Sequence, residues 1–334
     1  MSGGFEPYPL VLGPHLYRRL WGGSRLAAWL GGRGDLPVSG PEGEPVGEAW
    51  LLDASSVVLN GPHSGDTLGM VAATAEADLV GETAMLRYGP RVPLLAKFID
   101  AAQDLSVQVH PDDAYALREH PGSGHLGKTE AWFLLDSARG ASVLWGFRRP
   151  LTEQEVRQAV AERTLADLMH RLPVARGSVV VNPAGTVHAV GAGCFLFEIQ
   201  QASDLTYRLF DYGRLAADGR PRELHLDRAL AVADLSGAPP PANPVTAVGD
   251  GFARLVALPE FVLDHRVVMP GETREYRTER RSLEILVSVR GELTVSGGGE
   301  EATVREGGTV VLPAALGTYR LTGDAEVLRS AVGA

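Results

Sequence analysis

Apolar runs of strand length, each cut short by Gly, Pro or a polar turn, leave this chain little room for anything but sheets. "AWLLDAS", "VPLLAKFID", "LSVQVH", "EAWFLLDS", "SVLWGF", "SVVVNPAG" and "CFLFEIQQ" follow one another in this way. So many short strands in one chain point to a sandwich or barrel. Helices are few. The clearest is "LTEQEVRQAVAERTLADLMHRL", a helical insertion over 152–172, with Thr152 and Glu155 as a capping box and Pro173 as the stop. A shorter helix is expected in "PDDAYALREH", with Pro111, Asp112 and Asp113 at its positive end.

Composition changes near residue 230. "LSGAPPPANP" reads as a connector, and "SLEILVSVRGELTVSGGGEEATVREGGTVVLP" beyond it reads as hairpins with Gly-rich turns. The expected division is therefore a metal-binding region over 1–235 and a smaller β unit without metal ligands over 245–334. A faint repeat links them: "GSVVVNPAGTVHAV" (177–190) resembles "GGTVVLPAALGTYRL" (307–321), with Tyr319 and Arg320 where the first copy has His188. With 334 residues, 45% of them hydrophobic, the chain can bury cores for both.

"LSVQVHPDD", residues 105–113, carries the first chemical signal. Side chains alternate along a strand, so Gln108 and His110 share one face and Val107 and Val109 the other. By the same parity "GKTEAWFLL" sets Lys128 beside Glu130, and "GTVHAV" presents His188 with Thr186 and Val190. Two imidazoles, a carboxylate and an amide oxygen on neighbouring strands make the donor set of a divalent-metal site. With one anionic ligand, a divalent ion would leave the site at about +1, suited to an oxygen-rich anion. The remaining histidines lack such a context and read as surface or hydrogen-bonding residues.

Net charge of −10 argues against a nucleic-acid or anionic-membrane surface, so positive charge for an anionic ligand must be gathered locally. The start has no secretory layout, and no long apolar run occurs. The single Cys194 excludes an internal disulfide framework and fits a reducing cytoplasm. Only two of the 31 basic residues are lysine, Lys97 and Lys128, and both fall in the motif-bearing segments. Codon bias explains the excess of arginine; it does not explain where the lysines remain. A compact ammonium or a transferable proton does.

"PLLAKFIDAAQDLSVQVHPDD", "GKTEAWFLL", "PAGTVHAVGAG" and "FEIQQASDLTYRLFDYGR", with "LWGG" and "VGEAWLL" upstream, resemble the mannose-6-phosphate isomerases of the shorter bacterial type. The resemblance runs from about residue 8 to about 230. It implies an all-β-dominated chain built on jelly-roll (cupin) barrels, a bound Zn²⁺, and interconversion of mannose 6-phosphate with fructose 6-phosphate. It places Gln108, His110, Glu130 and His188 at the metal positions; Mn²⁺, Fe²⁺ or Co²⁺ would suit the same donors. It implies Arg208 as the stabiliser of an enediolate oxygen, with Glu198 and Asp204 where related enzymes carry carboxylates proposed for proton transfer. Lys128 would reach sugar oxygens or assist ring opening, Arg214 would meet the phosphate, and Lys97 is a further substrate contact. Longer relatives carry a histidine just before the lysine that Lys128 matches; Gly127 stands here, so a proton shuttle through it is absent. The implied partner is a phosphorylated hexose, with no nucleic acid or membrane, for a monomer or homodimer. Two alternatives use the same residues: a non-haem iron oxygenase, and a sugar-phosphate-binding cupin without turnover.

Overall fold

The computed structural model describes residues 5–30, 36–216, 219–240 and 246–333. Two sheets enclose the functional cavity. A seven-stranded sheet runs Val179–Asn182, Glu130–Ser137, Cys194–Gln201, Leu94–Asp100, Val46–Leu52, His15–Arg18 and Val38–Ser39. A five-stranded sheet runs Met169–Pro173, Ser142–Phe147, His188–Val190, Val107–Val109 and Tyr207–Phe210. The apolar runs of the sequence supply the inner strands of both, and their bulky residues are buried: Phe98, Trp132, Phe147 and Phe197 are among the largest fully buried side chains.

The third, ten-stranded sheet carries the tail, around the long antiparallel pair of Glu284–Gly297 and Thr318–Ala331. It also takes in the start of the chain: Leu10–Gly13 pairs antiparallel with Thr309–Leu312, Leu10 opposite Val311. The sheet therefore crosses the division expected between 235 and 245, and residues 241–245 of the expected connector lie outside the described residues. One core cluster spans both parts, joining Leu68, Val71, Leu79 and Phe98 to Leu283, Ile285 and Val287.

Helices differ most from expectation. The capping box forms, with Thr152 accepting from the Glu155 amide, but the helix is Glu153–Ala161 and does not reach 172. Arg163 takes φ +62°, a 3-10 turn follows over Leu165–Leu168, and Met169–Pro173 becomes an edge strand beside Ser142–Phe147. Pairing to an open sheet edge outweighs helix propensity there. The helix of "PDDAYALREH" spans Asp113–Glu119, capped by Asp112, whose carboxylate accepts from Tyr115 N at 2.7 Å. Three short helices, Leu68–Ala75, Ala77–Val80 and Glu82–Tyr88, were not signalled. Glu76 joins the first two, and Gly81 joins the last two, where its φ of +94° and approach to the Arg281 backbone exclude a side chain. Among the described residues no helix is long and apolar enough to cross a membrane.

The "WGG" segment gains a physical reason. A Cβ on Gly23 would lie 2.4 Å from Asp100 Oδ2. Asp100 is buried at the end of its strand and accepts from the amides of Arg25 (2.7 Å) and Leu26 (3.2 Å), while pairing with Arg25 Nε at 2.9 Å. One carboxylate thus ties the helix Arg25–Leu30 to the central strand. Gly23→Ala is expected to cost about 1–3 kcal/mol in urea unfolding, as overpacking beside a buried charge does; unchanged stability would contradict this role.

Candidate active site and metal centre

Strand register builds the site. On the five-stranded sheet, Gln108 lies opposite His188 on one side and Arg208 on the other. On the seven-stranded sheet, Glu198 lies between Trp132 and Lys97, and Lys97 faces Trp50. Directly opposed residues share a face, so each row turns its polar groups inward together. Val107 and Val109 point the other way into an apolar cluster with Leu144 and Phe147.

Where the sheets meet, His110, Glu130 and His188 bring one donor atom each within 4.8 Å of one another, all buried. His188 Nε2 is 3.1 Å from Glu130 Oε1, and His110 Nε2 is 3.3 Å from Glu130 Oε2. Each imidazole turns its Nδ1 to a backbone carbonyl, His110 to Leu205 and His188 to Thr186, both at 2.9 Å. Nδ1 is therefore the donor, and both Nε2 lone pairs face the centre. The Gln108 side-chain amide lies 3.4 Å from His188 Nε2. Asn182 Oδ1 is buried beside them without a hydrogen-bond partner among the described residues.

Charge states favour the same reading. Burial, reinforced by the Lys128 ammonium, pushes His110 down to about 3, so its ring is neutral. Burial works against ionisation of Glu130, but the Lys128 ammonium outweighs it and holds the carboxyl well below its usual range. Neutral imidazoles and an ionised carboxylate are the forms that bind a cation. The donors present fit a divalent ion.

Beside this centre, next to Gln108 and Lys128, lies a cavity of about 400 Å³, lined also by Lys97, Trp132, Glu198 and Arg208, with Asp204 at its exposed rim. Lys128 Nζ is 2.5 Å from Glu130 Oε2 and 3.0 Å from His110 Nε2. Glu198 Oε2 accepts from Trp132 Nε1 at 2.8 Å. Its Oε1 is 3.0 Å from Lys97 Nζ in ion-pair contact, without hydrogen-bond alignment, and retains accepting capacity. Both lysines of the chain thus flank one buried carboxylate.

Of the residues singled out from sequence, Arg214 is the one the structure takes elsewhere. Its guanidinium binds the Asp211 carboxylate and the Asp104 carbonyl, and it does not line the cavity. Arg222 lines it instead. Sequence reasoning also passed over Arg19, Glu48, Ser106 and Trp132, all lining residues. Parity alone could have found Trp132, two residues from Glu130, and Ser106, two from Gln108. Nothing in the sequence marks Arg222. Gly127 also acquires a cause: a Cβ there would meet the Asp112 carbonyl carbon and Asp113 nitrogen at 2.5 Å, so a histidine cannot stand at this position without moving the backbone.

A buried His–Glu–His centre between two sheets of a β barrel, with cationic and carboxylate side chains beside an open cavity, is the arrangement of a cupin-type enzyme whose donors could hold a metal ion. The comparisons specify which. Residues 10–125 match the family model for the type I phosphomannose isomerase catalytic domain. The chain is 34% identical to the mannose-6-phosphate isomerase of Streptococcus mutans serotype c over 96% of its own length and 98% of that protein. It is 39% identical to a mannose-6-phosphate isomerase of Bacillus subtilis (strain 168) over 69% of this chain and 70% of that one. A solved mannose 6-phosphate isomerase from Bacillus subtilis superposes with a TM-score of 0.83 at 27% identity, covering 97% and 99% of the two chains. The chain belongs to the mannose-6-phosphate isomerase family.

Glu48 offers a pH test of the cavity wall. Burial opposes its ionisation, yet Lys97 and Arg19 hold it down to about 2, with Trp50 Nε1 donating at 2.9 Å. A depressed folded pKa contributes stability that is present above the unfolded value of about 4.5 and is lost as pH falls toward 2. Glu48→Gln is expected to lose roughly 3 kcal/mol at neutral pH, with the gap narrowing below pH 4.5 in urea titrations. A gap independent of pH would contradict it.

Proposed function

We propose that this chain interconverts mannose 6-phosphate and fructose 6-phosphate by moving a proton between C1 and C2 through an enediol. The observation that carries the reading is Glu198: a carboxylate buried in the cavity wall beside the metal-type donors, fixed through one oxygen and able to accept through the other. Glu198 takes the C2 proton of the open-chain aldose and returns it to C1. Trp132 and Lys97 hold it in place without consuming its second oxygen. Arg208, on the opposite sheet beside Gln108, offers guanidinium donors to the oxygen that becomes negative as the carbon is deprotonated. Lys128 reaches the same space and contacts sugar oxygens near the metal donors. Asp204, at the rim, is placed for substrate hydroxyls rather than for the buried reacting carbons.

Gln108, His110, Glu130 and His188 would hold the ion, for which zinc is the choice that the family resemblance favours. A divalent ion bound there supplies polarisation of a carbonyl or hydroxyl oxygen, or fixes the orientation of sugar hydroxyls. The family membership favours isomerisation over an iron oxygenase, and the cationic lining of Lys97, Lys128 and Arg208 suits an anionic sugar. The lone Cys194 is buried, and burial pushes its thiol up to about 11, which makes it unreactive and compatible with the cytoplasm.

Metal analysis with a coupled isomerase assay, before and after chelation, tests the reading. Activity on mannose 6-phosphate should vanish with the metal and return with zinc, in the absence of oxygen. Oxygen consumption with iron would transfer the site to the oxygenases, and substrate binding without turnover would make it a sugar-phosphate-binding protein. Glu198→Gln should lower kcat by about 10²- to 10⁴-fold while bound metal is retained; an unchanged kcat would remove Glu198 from proton transfer.

A further inference from the structure

We propose that Arg222, clamped by Asp211, is the group that takes the phosphate of the substrate. The identity of the ligand as a phosphate ester rests on the isomerase reading; the anion clamp rests on the geometry below.

Asp211 follows the strand Tyr207–Phe210 and is only 4% exposed. Two guanidiniums share it. Arg222 grips it through Nε (to Oδ2, 2.6 Å) and Nη2 (to Oδ1), a bidentate pairing that fixes the plane of the fork. Arg214 approaches from another side through Nε and Nη2, and spends Nη1 on the Asp104 carbonyl. The difference between the two decides the assignment. Arg214 has committed every nitrogen of its fork and lies outside the cavity lining. Arg222 lines the cavity, and its Nη1 has no partner among the described residues.

Arg208 stands beside them with capacity of its own. Its Nη1 donates to the Glu223 carbonyl at 2.8 Å, and its Nε is buried without a partner. Three guanidiniums with one buried carboxylate leave a surplus of about two positive charges at this end of the cavity. The surplus registers in the neighbouring groups. Burial and then Arg222 lower Arg208 below its ordinary range, and burial and then Arg208 lower His225. In a chain of net charge −10, a local surplus that shifts its own members is the footing an incoming dianion would neutralise. A phosphate ester matches it in charge, and Arg222 Nη1, turned from the Asp211 clamp, is the donor left to meet it. Arg208 is then left free for the reacting end of the sugar, and Arg222 holds the far end.

Steady-state kinetics on mannose 6-phosphate, with inorganic phosphate as a competing probe, tests the assignment. Arg222→Ala should raise KM by about 10- to 100-fold and the inhibition constant of inorganic phosphate in parallel, while kcat stays within about threefold. Arg222→Lys, which keeps the charge and loses the fork, should fall between. KM and phosphate inhibition both within about twofold of wild type, or a fall in kcat as large as the rise in KM, would overturn the proposal. If Arg222→Ala does not fold, Arg222→Lys decides alone: about a threefold rise or more in both constants supports the clamp, and a smaller change overturns it. If the wild-type protein does not turn over mannose 6-phosphate, the isomerase reading falls. Calorimetric titration with inorganic phosphate still decides the clamp, weaker binding by Arg222→Lys supporting it and equal binding overturning it.

Discussion

Glu130 is fully buried between two sheets, and a carboxylate in that position has to be met by positive charge and donors or it would not remain ionised. The chain meets it with the Lys128 ammonium and brings two imidazole lone pairs to the same space, where a cation would join them. Lys128 arrives two residues earlier on the same run, and His110 and His188 arrive from the facing sheet with their Nδ1 protons anchored on carbonyls. That anchoring sets the tautomers and turns both Nε2 atoms toward the carboxylate. The cost of burying a charge is offset only if the donors stay together, so the sheets are held in register by the site as much as the site is held by the sheets.

Charge then alternates outward across the seven-stranded sheet. Glu130 is followed by Lys128, Glu198, Lys97, Glu48 and Arg19, with Lys97 3.0 Å from Glu198 and Arg19 2.9 Å from Glu48. Trp132 and Trp50 donate from the same rows to the two inner carboxylates. Burial opposes the charge on Lys97, but Glu198 and Glu48 outweigh it and hold the ammonium above its ordinary value. The tail shows the contrasting solution. Asp264, also buried, is bound by Arg254 and Arg329, and Tyr319 donates to Glu284 at 2.9 Å. At the place of His188 in the repeat, Tyr319 is therefore occupied within the tail, and Arg320 is exposed and paired with Glu275.

Much of this was legible because strands have a period of two. Gln108 with His110, and Lys128 with Glu130, could be assigned to common faces from spacing alone, and the direction of Glu198 followed from its apolar neighbours. Legibility ends where the period breaks. Pairing shifts between Arg208 and Phe210, and Tyr212 adopts φ +56°, so counting forward from Arg208 no longer says which way Arg214 points. Arg222 comes from a segment whose place is set by Asp211, a tertiary contact with no local signature. The helices over 68–88 escaped for a different reason: apolar Met70 and Leu86 stand on their exposed side, so no clear polar face marks the helical period.

The central claim is spatial: side chains from two facing sheets converge on one cation. Anomalous diffraction at the metal edge, from crystals grown with zinc, tests it most directly. The account expects a single peak bounded by Nε2 of His110, Nε2 of His188 and the Glu130 carboxylate, with the Gln108 side-chain oxygen turned toward it. A map with no peak there, or with the ion held by other residues, would contradict it.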